Sequence, residues 1–80
     1  MWIRSQNKQV ITKPKNIRLK EIKENDYRIL ERINKEEDLI LGIYSAKEKA
    51  LKVLDKIHET LNYELEMNLD VFQMPQEDEV

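Results

Sequence analysis

The sequence predicts an α+β fold: a small antiparallel β-meander of four to six short strands, with one amphipathic helix, about residues 45–66, packed on one face. Three observations lead there. Apolar and polar residues alternate along much of 17–33, the period of a half-buried strand. From residue 50 to residue 61 apolar side chains recur at spacings of three and four, the period of a helix. The chain has 80 residues with one Gly and two Pro, enough for one domain with a small core. Residues 1–75 are expected to form that domain and residues 76–80 a mobile acidic C-terminal tail.

The opening is read as a hairpin. Residues 2–5 form its first strand, residues 6–9 are polar and turn-like, and Val10, Ile11 and Thr12 are β-branched. Pro14 then interrupts, because it has no N–H for a ladder. Ile17 and Leu19 alternate with Arg18 and Lys20, and Tyr27, Ile29 and Ile33 share a second apolar face beyond the turn at Asn25 and Asp26. A helix over 17–33 is the competing reading, set aside because of that turn and the β-formers. Residues 39–44 are the most apolar stretch and are expected to be the central strand of the meander.

Ser45, followed three residues later by Glu48, has the spacing of a helix capping box. The helix it opens is expected to bury Ala50, Val53, Leu54, Ile57 and Leu61. Its end is ambiguous, since residues 62–72 also alternate as a strand does. Leu, Glu and Met favour helix, so the helix is ended near 66 and residues 71–74 are read as a last short strand.

Composition narrows the function classes. Charged residues make up 38% of the chain, against about 25% in typical domains. The lack of cysteine removes disulfides and thiolate metal sites. With no signal-peptide pattern and no apolar run approaching the ~18 residues of a spanning helix, the expected location is cytoplasmic, with no membrane partner. Residues 1–35 carry ten Lys or Arg against four acids, and residues 36–80 carry four Lys against twelve acids. Such asymmetry fits either a nucleic-acid surface or two halves that neutralise each other.

Three blocks, "MWIRSQ" at the start, "YSAKEKALKVLDKI" in the middle and "VFQMPQEDEV" at the end, resemble a group of small uncharacterised proteins of Gram-positive bacteria and their phages. The shared pattern is an opening Met-Trp-Ile-Arg-Ser-Gln, a middle Tyr-Ser followed by Ala-x-x-Val-Leu-Asp-x-Ile, and a closing Phe-Gln-Met-Pro. The middle block differs in carrying Lys47, Glu48 and Lys49 before Ala50, and residues 8–38 have no counterpart. The resemblance implies a prophage or mobile-element context and no activity, cofactor or catalytic residue.

No residue constellation carries a catalytic chemistry, so the chain is read as not an enzyme, with no cofactor and no metal. His58 is the only histidine. It shares a helical face with Asp55 and Asn62, but one imidazole falls short of a transition-metal site. Ser5 lacks an elbow motif around it, and Ser45 is engaged as a cap. Glu21-Ile22-Lys23 matches a nuclease-like acid-x-Lys triplet no more often than composition predicts. The acidic run at 36–38 lacks the spaced ligands and Gly of a calcium loop. Gly42 marks a bulge or a close packing point under the helix.

Two surfaces remain. Arg18, Lys20, Arg28 and Arg32 are expected on the outward sheet face, as a candidate nucleic-acid-binding stripe. Trp2, Phe72 and Met74 are expected side by side: Trp2 is expected to be substantially buried, beside the helix stripe or Phe72, and if it is exposed instead, the three form a partner patch. The favoured function is a non-catalytic protein-interaction or accessory module. Its protein partner is unspecified, and exposed sheet edges allow a homodimer. Nucleic-acid binding is the alternative.

Overall fold

A computed structural model of the chain describes residues 1–64 and 71–80. It is an α+β fold in which, among the described residues, six short strands form two three-stranded sheets beside one α-helix. In chain order the elements are β1 (Ile3–Arg4), β2 (Ile11–Thr12), β3 (Ile17–Lys23), β4 (Asp26–Arg32), β5 (Asp38–Tyr44), α1 (Lys47–Glu64), β6 (Phe72–Gln73) and a closing 3₁₀ turn (Glu77–Glu79). The expected continuation of the helix to residue 66 lies outside the described residues.

The small sheet has the order β2-β1-β6. The hairpin of β1 and β2 places Ile3 opposite Thr12, and β6 adds parallel to β1 with Ile3 opposite Phe72. Ser5 pins the hairpin from inside. Its buried hydroxyl donates to Asn7 Oδ1 at 2.6 Å and accepts from the Val10 N–H at 3.2 Å. Lys8 takes a positive φ in the connecting loop.

The larger sheet is the antiparallel meander β3-β4-β5. Its first turn is possible because Asn25 adopts the left-handed conformation, which Asn tolerates better than most residues. The central strand is β4, so the expectation that residues 39–44 lie centrally is corrected. That stretch is apolar because a bulge turns extra residues toward the core. Leu30 pairs with Ile40 and Ile29 with Gly42, which leaves Leu41 as the inserted residue. The bulge resets the alternation, so that Leu39, Leu41 and Tyr44 all pack in the core while Ile40 and Ile43 face outward, 41% and 42% exposed.

One cluster joins the two sheets and the helix. Ile3, Ile29, Leu41, Tyr44, Ala50, Val53, Ile57 and Met74 are buried together, with Ile17, Leu19, Tyr27, Leu54 and Phe72 packed around them. Ala50, Val53, Leu54 and Ile57 fulfil the helix stripe, whereas Leu61 does not: it is 45% exposed. Gly42 lies under Tyr44 and Met74 rather than under the helix. A Cβ there would sit 2.9 Å from the Tyr44 ring and 3.1 Å from Met74 Cε.

The acidic C-terminal segment folds back onto the body. The Glu77 carboxylate accepts from the Ser45 hydroxyl and from the Ser45 N–H, the latter at 3.2 Å, and pairs with Lys49 Nζ at 3.3 Å. Ser45 therefore does not close a capping box with Glu48. The first helical bond runs from the Ala50 N–H to the Ala46 carbonyl, so Ser45 precedes the cap position and its hydroxyl turns to the tail. Among the described residues, no helix is long and apolar enough to cross a membrane.

Candidate interaction surface

The meander presents two edges, and they differ. Beside β5, Gln6 acts as a substitute strand residue. Its side-chain amide donates to the Ile43 carbonyl at 3.0 Å and accepts from the Ile43 N–H at 2.9 Å, while its backbone N–H donates to the Leu41 carbonyl at 2.7 Å. The hairpin loop thus seals that edge at Leu41 and Ile43.

Among the described residues the β3 edge is open. The Arg32 N–H donates to the Asn16 carbonyl at 3.2 Å. In an antiparallel ladder, bonded and non-bonded pairs alternate. That bond therefore makes Arg18–Leu30 and Lys20–Arg28 the bonded pairs and Ile17–Glu31 and Leu19–Ile29 the non-bonded ones. The N–H and C=O groups of Ile17, Leu19 and Glu21 point away from β4. Among the described residues nothing pairs with them. Their side chains lie on the helix side of the sheet, where Ile17 and Leu19 are half-buried and Glu21 accepts from the Tyr27 hydroxyl at 3.1 Å.

The four expected cations do share the outer face, in register with Leu30, Ile40 and Ile43. Acids offset three of them. Asp38 binds Arg18 at 2.9 Å and lies 3.9 Å from Arg32, and Asp26 holds Arg28 with two hydrogen bonds. The bond from Arg28 keeps the Asp26 carboxyl below its ordinary range, so that acid stays charged. Among the described residues, Lys20 is the one of the four without an ion pair. The Arg18 Nε is buried without an acceptor among the described residues. The face is thus a mixed apolar and basic surface rather than an uninterrupted cationic stripe.

The proposed terminal patch is rearranged. Trp2 is 50% exposed and does not close the core. Ile3, one position later, fills that place, because the parallel pairing with β6 turns Ile3 inward and Trp2 outward. Met74 is fully buried and Phe72 half-buried against the core, so neither extends a patch around Trp2. The exposed apolar neighbours on the small sheet are Ile11 and Val71. Sequence reasoning placed neither in the patch.

His58 lines a cleft of about 370 Å³ with Met1, Ile3, Pro14, Ile17, Leu54 and other residues. Among the described residues no carboxylate lines that cleft, and Ser5 and Ser45 donate their hydroxyls to Asn7 and Glu77. Among the described residues, no cluster of His, Asp and Glu converges to hold a metal ion. The groups brought together are apolar side chains and unpaired backbone, an arrangement suited to binding a chain. No protein-family model, curated protein or solved structure matches this sequence.

Proposed function

We propose that this chain is a non-catalytic protein-interaction module that uses the β3 edge as its contact surface. The contrast between the two meander edges carries the reading. One is closed by Gln6, while the other leaves the backbone groups of Ile17, Leu19 and Glu21, in a seven-residue strand, without a partner among the described residues. Open edges of this length are templates for strand addition. The absence of cysteine and the three sequence blocks support a cytoplasmic, prophage-derived accessory protein that works without a cofactor.

Affinity capture with the intact chain and with Glu21→Pro tests this. Glu21 is exposed and its N–H faces outward, so proline removes an edge donor without breaking the ladder. The expected result is a partner retained by the natural chain and lost by the variant. Equal capture by both would remove β3 from the interface.

The sharing of one face by Arg18, Lys20, Arg28 and Arg32 favours a second reading, nucleic-acid binding. Phosphate contacts would make such binding fall steeply with salt. Titration of mixed DNA and RNA oligonucleotides at low salt decides it, and no detectable binding ends it.

A further inference from the structure

We infer that the occupant of the β3 edge is an extended segment of another protein carrying acidic side chains at alternate positions, rather than a second copy of this chain. The inference rests on the reading of β3 as the contact edge and adds the chemistry of what binds there.

Register supplies the argument. Residues directly opposite in an antiparallel pair lie on the same face and interact, and like charges placed opposite destabilise the pair. Two copies joined through β3 by a two-fold axis pair each residue with its mirror position. Centred on Arg18, the pairing sets Arg18 against Arg18 of the second copy. Centred on Leu19, it sets Arg18 against Lys20 twice. Centred on Lys20 it opposes two lysines, and centred on Glu21 two glutamates. Each of these four registers, which lie before the irregularity between Glu21 and Lys23, meets repulsion, and the register centred on Ile17 sets the strand against Asn16, Lys15 and Pro14, which lie outside β3.

An acidic strand meets the reverse. Side chains opposite Arg18 and Lys20 lie on the outer face, where Lys20 has no ion pair among the described residues and the Arg18 side chain, paired with Asp38, is 39% exposed. Arg28, beside Lys20 in the ladder, adds to the local potential. The alternate side chains of the incoming strand turn to the helix side, next to half-buried Ile17 and Leu19, where apolar residues are favoured. The recognised pattern is therefore acid and β-former in strict alternation, antiparallel to β3. The backbone groups of Ile17, Leu19 and Glu21 supply the main-chain hydrogen bonds.

The test uses the full chain and a capped seven-residue peptide of alternating Val and Glu, with a Val and Lys peptide as control. Amide exchange followed by NMR reads the edge directly. The expected result is slowed exchange at Ile17, Leu19 and Glu21 with the Glu peptide and none with the Lys peptide. Lys20→Glu, at an exposed position, is expected to weaken binding about fivefold, and Glu21→Pro to abolish it. Equal binding of both peptides, or none of the acidic one, overturns the inference. If the same amides slow with protein concentration alone, a second copy is the occupant; the acidic partner is then wrong and the contact edge stands. If they are already protected in dilute protein without peptide, the edge is not open and both readings fail.

Discussion

The Glu77 carboxylate accepts hydrogen bonds from both the hydroxyl and the backbone N–H of Ser45, 32 positions earlier in the chain. The start of α1 is thereby fastened by the C-terminal segment rather than by its own first turn. Glu77→Ala is expected to lower unfolding stability by about 1 kcal/mol, in the range of a lost helix cap. Glu48→Ala, at the position a capping box would use, is expected to cost much less. Urea denaturation of the two variants separates them.

The same contact sets an acid response. The hydrogen bond from Ser45, with Lys49 nearby, holds the Glu77 carboxyl below its ordinary value of 4.5. A depressed carboxyl stabilises the folded form above its unfolded value, and that contribution disappears as pH falls through the lowered value. Stability measured across the acid range is expected to fall less steeply below 4.5 in Glu77→Gln than in the natural chain.

Gly42 leaves the space that Tyr44 occupies. A methyl there would stand 2.9 Å from the phenol ring and hydroxyl. The ring cannot swing aside freely, because its buried hydroxyl donates to the Pro75 carbonyl at 2.8 Å. Gly42→Ala is expected to destabilise by about 1–3 kcal/mol, the usual cost of overpacking, seen as a lower urea midpoint at unchanged slope.

Tyr44→Phe removes one hydrogen bond, worth about 1 kcal/mol. The Pro75 carbonyl keeps a second donor, Gln6 Nε2 at 3.3 Å, so the loss is not compounded by an orphaned acceptor. Burial of the phenol, reinforced by Glu77 and Glu79, raises Tyr44 well above its ordinary 10.0. The folded form keeps this proton where the unfolded form releases it, so stability declines as pH rises past 10.0. Stability curves on either side of that value should show a shallower alkaline decline in the Phe variant.

Gln6→Ala is expected to open the second edge. It removes the paired bonds to Ile43, costs about 1 kcal/mol and exposes unpaired β5 backbone beside Ile40 and Ile43. Sedimentation of the variant should show association that grows with concentration, as unprotected edges do.

Local patterns were legible and non-local pairings were not. The alternation of Ile17 and Leu19 with Arg18 and Lys20 marked β3 and its outer face. The spacing of Ala50, Val53 and Ile57 marked the buried stripe of α1, and Gly42, read as a bulge or a close packing point under the helix, sits next to the residue inserted at the bulge. The parallel docking of β6 on β1 joins residues about seventy positions apart, and no local period encodes it. Because that pairing decides which of Trp2 and Ile3 faces inward, the burial expected of Trp2 went to its neighbour. The bulge at Leu41 defeated the placement of β5 for a related reason: an inserted residue makes an edge strand look apolar on both faces. The cationic face was visible in the sequence, but its neutralisation by Asp38 and Asp26 depended on the strand register and a turn.

The open edge of β3 is tested most directly by residue-resolved amide exchange on the dilute, isolated protein. The expected result is alternation along one strand, with Arg18 and Lys20 protected by β4 and Ile17, Leu19 and Glu21 exchanging rapidly. Uniform protection from Ile17 to Glu21 would contradict the central claim, because it would mean that the edge is already paired.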